Sequence, residues 1–254
     1  TAPRPLAQRL LRKTLAFGLT NKPLFEAGIA VGRWVRPLLP AALQQKIPLG
    51  KKPAPPLTSH LPSHTTVLML EGCVQPGMLP NINAATKRVY KRLGINVITA
   101  AKAGCCGAIK QHLNEHEAAQ LEMKRNINAW WPYIEKQGVS TILMNASGCG
   151  ATVKDYGHLL RNDRNYAAKA AKISALCKDL VELLPSQIDA LEKIIGNNPK
   201  EGIIFHPPCT LQHGQQIKGQ LEPLLGRLGI QVNLCNDSHL CCGSAGTYSI
   251  LQAP

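Results

Sequence analysis

Long apolar runs are missing from this sequence. No stretch approaches the roughly 18 to 20 residues that a membrane-spanning helix needs, and no basic-then-apolar leader opens the chain, so the cytoplasm is the expected location. Low-complexity tracts are also missing. With 44% apolar and 17% charged residues the chain is expected to fold, and its 254 residues suit two domains with cores of their own. Aromatic residues are scarce, at 4%, and no zinc-finger, RRM or helix-turn-helix pattern occurs, so the net charge of +14 does not indicate nucleic-acid binding. No hydrolytic triad, P-loop or GxGxxG is present, which leaves no basis for substrate chemistry on this chain.

Acidic residues are scarcest at the N-terminal end. Residues 1–52 hold ten Lys and Arg against one acid, Glu26. Leu6, Leu10, Leu11 and Leu15 recur there at helical spacing, so the segment reads as a basic amphipathic helix. It is expected to serve as a linker or partner-docking helix ahead of an anionic membrane surface, because apolar stripes more often face protein than lipid. The expected divisions are a basic helical linker over 1–62, a first module over 63–196 and a second over 197–254.

What the chain does have is cysteine, nine of them. An odd number without a secretory leader argues for reduced thiols in metal or redox chemistry. Adjacent cysteines agree, since a disulfide between neighbours forces strained geometry. Cys73 is followed 32 residues later by Cys105-Cys106-Gly107, and Cys209 is followed 32 residues later by Cys241-Cys242-Gly243. The units are offset by 136 residues and share the landmarks Leu93-Gly94-Ile95 and Leu228-Gly229-Ile230, an internal duplication. Cys149 follows the first unit. Its counterpart is expected near position 285, beyond Pro254, so the second unit reads as truncated and the chain, which begins at Thr1, as a fragment.

Thr65 to Glu71 reads as a buried strand broken by Gly72-Cys73, and Asn81 to Leu93 as a helix ended by Gly94. Ile95 to Thr99 follows as a second strand, leading to the Ala103–Gly107 loop. A long helix is expected from about Glu115 to Lys136, with Asn114 and Glu117 at capping-box spacing and Pro132 as a kink. Val139 to Asn145 is a third strand, and 160–196 is expected to be helical. Gly202 to Phe205, a helix to Leu228 and Ile230 to Leu234 repeat the opening. Alternating strands and helices imply the α/β class with small parallel sheets, and the cysteines fall at strand C-terminal ends, where such sheets bind ligands.

Converging thiolates can hold zinc or an iron–sulfur cluster. Structural zinc draws on close Cys pairs, whereas the long spacing and vicinal cysteines here favour the cluster. Cys177, on a stretch read as helical, and Cys235 have no repeat equivalents and read as ordinary buried thiols. His206 and His213 flank Cys209 and are weighed as donors behind the ligands or, more simply, as core or surface histidines.

The pattern resembles the CCG domain of heterodisulfide reductase, over roughly residues 66–254. The stretches Ala103–Gly107 (AGCCG), Asn126–Pro132 (NINAWWP), Ala146–Leu160 (ASGCGATVKDYGHLL), His206–Gln215 (HPPCTLQHGQ) and Ser238–Tyr248 (SHLCCGSAGTY) resemble most closely the iron–sulfur subunits of glycolate oxidase. The resemblance implies two CCG modules, [4Fe-4S]-type clusters, a partner subunit carrying FAD that oxidises glycolate to glyoxylate, and electron flow toward the quinone pool at the inner face of the cytoplasmic membrane. Cys73, Cys105, Cys106 and Cys149 match the first cluster motif, and Cys209, Cys241 and Cys242 the start of the second. The family's closing Cys-x-x-Cys has Ala146 here, leaving four ligands in the first unit, enough for a [4Fe-4S] cluster. Alternatives are the equivalent subunit of a lactate or glycerol-3-phosphate dehydrogenase, and a scaffold without redox function.

Overall fold

The computed structural model describes residues 4–45, 47–49, 54–55, 65–196, 200–243 and 246–251. The chain begins with two helices, α1 (Leu6–Thr20) and α2 (Lys22–Val35), joined at Asn21, whose side chain accepts a hydrogen bond from the Leu24 amide at 3.2 Å and so caps α2. A one-turn helix, α3 (Ala41–Gln44), follows. The basic segment rests on the first cysteine-bearing unit. Lys22 pairs with Glu71 at 3.1 Å, Arg33 donates to the Gly77 carbonyl at 2.8 Å, and the Phe25 ring lies against Gly77. The expected boundaries near 62 and 197 lie outside the described residues.

The first unit is built on β1 (Thr65–Met69), β2 (Ile95–Ile98), β3 (Ile142–Met144) and β4 (Cys177–Asp179), all parallel in the order β2-β1-β3-β4. Between β1 and β2 run a short helix α4 (Gln75–Met78) and α5 (Pro80–Arg92). Between β2 and β3 run α6 (Ala108–His112) and the long α7 (His116–Gln137), which continues through Pro132. Helices α8 (Ser147–Lys154), α9 (Tyr156–Leu159) and α10 (Ala167–Leu176) lead to β4, then α11 (Leu180–Leu183) and α12 (Ile188–Ile195). The core between sheet and helices holds Leu68, Met123, Ile127, Trp130, Ile142 and Ile173, all at 0% exposure.

In the second unit, β5 (Lys200–Phe205) and β6 (Ile230–Leu234) pair in parallel, with Ile203 beside Val232 and Phe205 beside Leu234. A single π-helical turn, Thr210–Gly214, and α13 (Leu221–Arg227) connect them, and α14 (Tyr248–Leu251) follows. This repeats the β1-β2 opening, as the duplication requires.

Two local expectations are corrected. Asn114 does not open α7: it has φ 69° and closes α6, where Glu115 N–H reaches the Lys110 carbonyl at 2.9 Å and Asn114 N–H the Gln111 carbonyl at 3.1 Å, a Schellman motif. Cys177 is not helical. It opens β4, whose three residues are too few to show a period and are extended by pairing with β3, Cys177 beside Ile142.

Candidate iron–sulfur site

Each cysteine of the first set stands just past the C-terminal end of a parallel strand. Cys73 follows β1 after Gly72 (φ 80°), Cys105 and Cys106 lie between β2 and α6, and Cys149 sits in the first turn of α8 immediately after β3. Because β1 lies between β2 and β3, the three loops emerge side by side. The Cys73 and Cys105 sulfurs are 3.5 Å apart, and Cys106 lies between Cys105 and Cys149, sulfur to sulfur with both. Cys73, Cys105 and Cys106 are buried, Cys149 partly so, and all are free thiols.

Such close sulfurs share protons unequally. The Cys106 and Cys73 thiols and the Gly107 amide, 3.4 Å away, all hydrogen-bond the Cys105 sulfur, bringing its pKa down to about 3 against the effect of burial. Cys73 is pushed up by its bond to Cys105 and then by burial, and Cys106 by its bonds to Cys105 and Cys149. The bonds thus favour the thiolate at Cys105 and the thiol at Cys73 and Cys106, and a thiol must lose its proton to bind metal.

The donor set fits an iron–sulfur group. It is all thiol, three of its four sulfurs are on buried residues, and it brings an amide hydrogen to sulfur. Each thiolate of a four-cysteine [4Fe-4S] cluster binds its own iron, so the 3.5 Å of Cys73–Cys105 and the 3.8 Å of Cys209–Cys241 are contacts between free thiols. Among the described residues, no three His, Cys, Asp or Glu side chains are arranged around a single ion. The thiols meet pairwise instead.

Glycine shapes the loop. Gly107 has φ 95°, and a Cβ there would lie 3.1 Å from the Ala119 carbonyl of α7. At Gly104 a Cβ would overlap the Arg125 guanidinium, which pairs with buried Glu122, itself paired with Lys110. A cleft of about 410 Å³ lined by Phe17, Lys22, Lys102, Lys110 and Arg125 leads from the surface to Cys105.

In the second set Cys209 precedes the π turn and Cys241 and Cys242 are exposed. His206 Nε2 lies 3.2 Å from the Leu240 carbonyl and His213 Nε2 3.2 Å from that of His239, both at the surface and neither on a cysteine sulfur. Gln212 donates to the Pro207 and Ser238 carbonyls, both at 2.8 Å, tying the two loops together. The units meet where the Ser147 and Thr210 hydroxyls lie 2.8 Å apart and Gln215 donates to the Ser147 carbonyl at 3.0 Å. Cys177 is pushed up to about 12, chiefly by burial, in keeping with an inert thiol, and Cys235 sits at the end of β6 with its N–H on the Phe205 carbonyl at 3.3 Å.

Two buried residues escaped the sequence reading. Asn126, on α7, accepts from the Gly104 amide at 2.8 Å and donates to the Cys105 carbonyl at 2.8 Å and the Tyr156 hydroxyl at 3.1 Å. The Tyr156 hydroxyl donates to the Cys106 carbonyl at 2.8 Å. The available clue was an Asn within the apolar stripe formed by Met123, Ile127 and Trp130.

The family model for the CCG cysteine-rich domain matches residues 67–154 and 203–253. The chain is 49% identical over 250 residues to the glycolate oxidase iron-sulfur subunit of Escherichia coli (strain K12), covering 97% of this chain and 60% of that protein. It is 27% identical over 192 residues to the probable glycolate oxidase iron-sulfur subunit of Bacillus subtilis (strain 168), covering 75% of this chain and 42% of that one. Lactate utilization protein A of Geobacillus kaustophilus (strain HTA426) is more distant, 23% identical over 175 residues, covering 68% of this chain and 70% of that protein. The chain thus spans 60% or less of the two glycolate oxidase relatives. With both matched segments falling on the two cysteine-bearing units, the chain belongs to the CCG cysteine-rich domain family.

Proposed function

We propose that this chain is the electron-transfer part of the iron–sulfur subunit of a glycolate oxidase (glycolate dehydrogenase). Cys73, Cys105, Cys106 and Cys149 hold a [4Fe-4S]-type cluster, and Cys209, Cys241 and Cys242 contribute to a second site. A partner subunit carrying FAD oxidises glycolate to glyoxylate, and its electrons pass through this chain toward the quinone pool. The protein works at the inner face of the cytoplasmic membrane as a peripheral component. Among the described residues no helix is long and apolar enough to cross a membrane, so contact there would be with its surface. The observation that carries the reading is the meeting of four thiols at the ends of adjacent parallel strands, and the likeness to the Escherichia coli subunit supports the substrate.

Anaerobic purification of the full-length protein, with iron and sulfide analysis and EPR, tests the cluster. Cys73→Ser and Cys106→Ser are expected to lower cluster content, and unchanged content in both would sink the ligand assignment. Deleting the subunit is expected to abolish glycolate-to-quinone activity, and persistence of that activity would sink the functional one.

A further inference from the structure

Backbone carbonyls are poor neighbours for a cluster. Each carries its negative end on oxygen and disfavours the extra electron that reduction adds, whereas amide hydrogens aimed at sulfur favour it. The Cys105–Cys106 loop must therefore present its hydrogens to the metal and hide its oxygens. In this structure the hiding is done by two side chains from outside the loop. Asn126 Nδ2 holds the Cys105 carbonyl and the Tyr156 hydroxyl holds the Cys106 carbonyl, each at 2.8 Å. Asn126 Oδ1 takes the Gly104 amide at 2.8 Å and so fixes the entry to the loop, while the Gly107 amide faces the Cys105 sulfur at 3.4 Å.

The network is closed. Asn126 and Tyr156 are both 0% exposed, and each donor and acceptor named has its partner inside the protein. A buried amide and a buried phenol so fully matched can take one orientation, because any rotation leaves polar atoms bare at a cost of about 1–3 kcal/mol each. In the second unit the carbonyls held are those of the residues before the pair, Ser238, His239 and Leu240, bonded by Gln212, His213 and His206.

We propose that Asn126 and Tyr156 are positioning residues that keep the Cys105–Cys106 carbonyls turned away from the sulfurs and thereby set the reduction potential of the cluster bound there. The assignment rests on the cluster reading above. Neither residue touches metal.

The test uses the full-length protein, purified anaerobically, with an EPR-monitored redox titration of the signal that Cys73→Ser removes. Tyr156→Phe deletes one oxygen from a packed core and frees the Cys106 carbonyl. It is expected to keep its iron and shift the redox equilibrium about tenfold toward the oxidised form, a potential about 59 mV more negative. Asn126→Asp preserves volume and the acceptor for Gly104 but removes the donor, and it decides the matter if Tyr156→Phe does not fold. Tyr166→Phe, which removes a hydroxyl bonded to exposed Asn128 on the same helix as Asn126, is expected to leave the potential unchanged. Unchanged potentials in Tyr156→Phe and Asn126→Asp, with full iron content, overturn the positioning role and leave the cluster reading standing. A wild-type protein with no signal that depends on Cys73 overturns both.

Discussion

Three glycines, replaced one at a time by alanine, separate backbone strain from close packing at the cysteine loop. Gly138 has φ 66° at the end of α7, with nothing within 4 Å of the place a methyl group would take, so Gly138→Ala carries only the left-handed backbone penalty, about 1–2 kcal/mol. Gly107 adds contact to the same penalty. Its Cβ would lie 3.1 Å from the Ala119 carbonyl and 3.3 Å from Met123 Cε, and since a helix backbone cannot swing aside, overpacking contributes about 1–3 kcal/mol more. Gly107→Ala is thus expected to lose about 2–5 kcal/mol in all. At Gly104 the obstacle is the tip of a flexible arginine, so Gly104→Ala displaces Arg125 from buried Glu122, which keeps Lys110, at a cost of about 1–3 kcal/mol. Urea unfolding of the metal-free chain, with m-values compared to exclude a change in the unfolded state, measures all three. Equal losses for Gly107→Ala and Gly138→Ala would show that α7 does not press on the loop as described.

Trp130→Ala empties the centre of the first core, where the ring is 0% exposed, and is expected to cost about 3–5 kcal/mol by the same unfolding assay. Gln215→Ala removes the donor to the Ser147 carbonyl at 3.0 Å and to Asp179 Oδ2 at 3.2 Å; hydrogen exchange should quicken around the π turn and α8, and a change confined elsewhere would contradict the junction. Burial pushes Glu71 up, but the Lys87 and Lys22 ammonium groups outweigh it and hold the carboxyl below its ordinary 4.5. Its folded pKa being the lower one, the pairs contribute stability above pH 4.5 that fades as pH falls through the folded value, so Glu71→Gln should flatten the acid limb of the stability profile. Loading iron and sulfide should release protons measurable with a pH indicator, because Cys73 and Cys106 begin as thiols; loading without proton release would contradict that assignment of protons.

The strands that carry the cysteines were legible because each ends abruptly. Thr65–Met69 stops before Gly72, Ile95–Ile98 before the Ala-Gly-Cys-Cys loop, and Ile142–Met144 before Ser147-Gly148. The duplication then placed β5 and β6 by analogy. What stayed hidden depended on partners distant in sequence. Cys177–Asp179 is extended only because β3 lies beside it, and Asn114 sits in the left-handed region because α6 is a single short turn of helix that has to end there. In both cases local propensity was overruled by what the neighbouring element had already fixed.

The meeting of the Cys73, Cys105, Cys106 and Cys149 thiols was legible and that of the side chains around them was not, and the reason is chemical. A thiol advertises itself by residue type, and spacing shows which thiols belong together. An asparagine or tyrosine does neither, since each is common in proteins for many reasons, and only a neighbour's carbonyl gives it a purpose. Asn126 lies 21 residues from the Cys105 carbonyl it holds and Tyr156 lies 50 from that of Cys106. The one sequence-level sign was a contradiction: a polar amide among Met123, Ile127 and Trp130 on one helix is unfavourable unless every one of its hydrogen bonds is made inside the core. Such a residue implies a buried partner by its position alone, and beside a cysteine pair the partner most in need of holding is the backbone between the sulfurs.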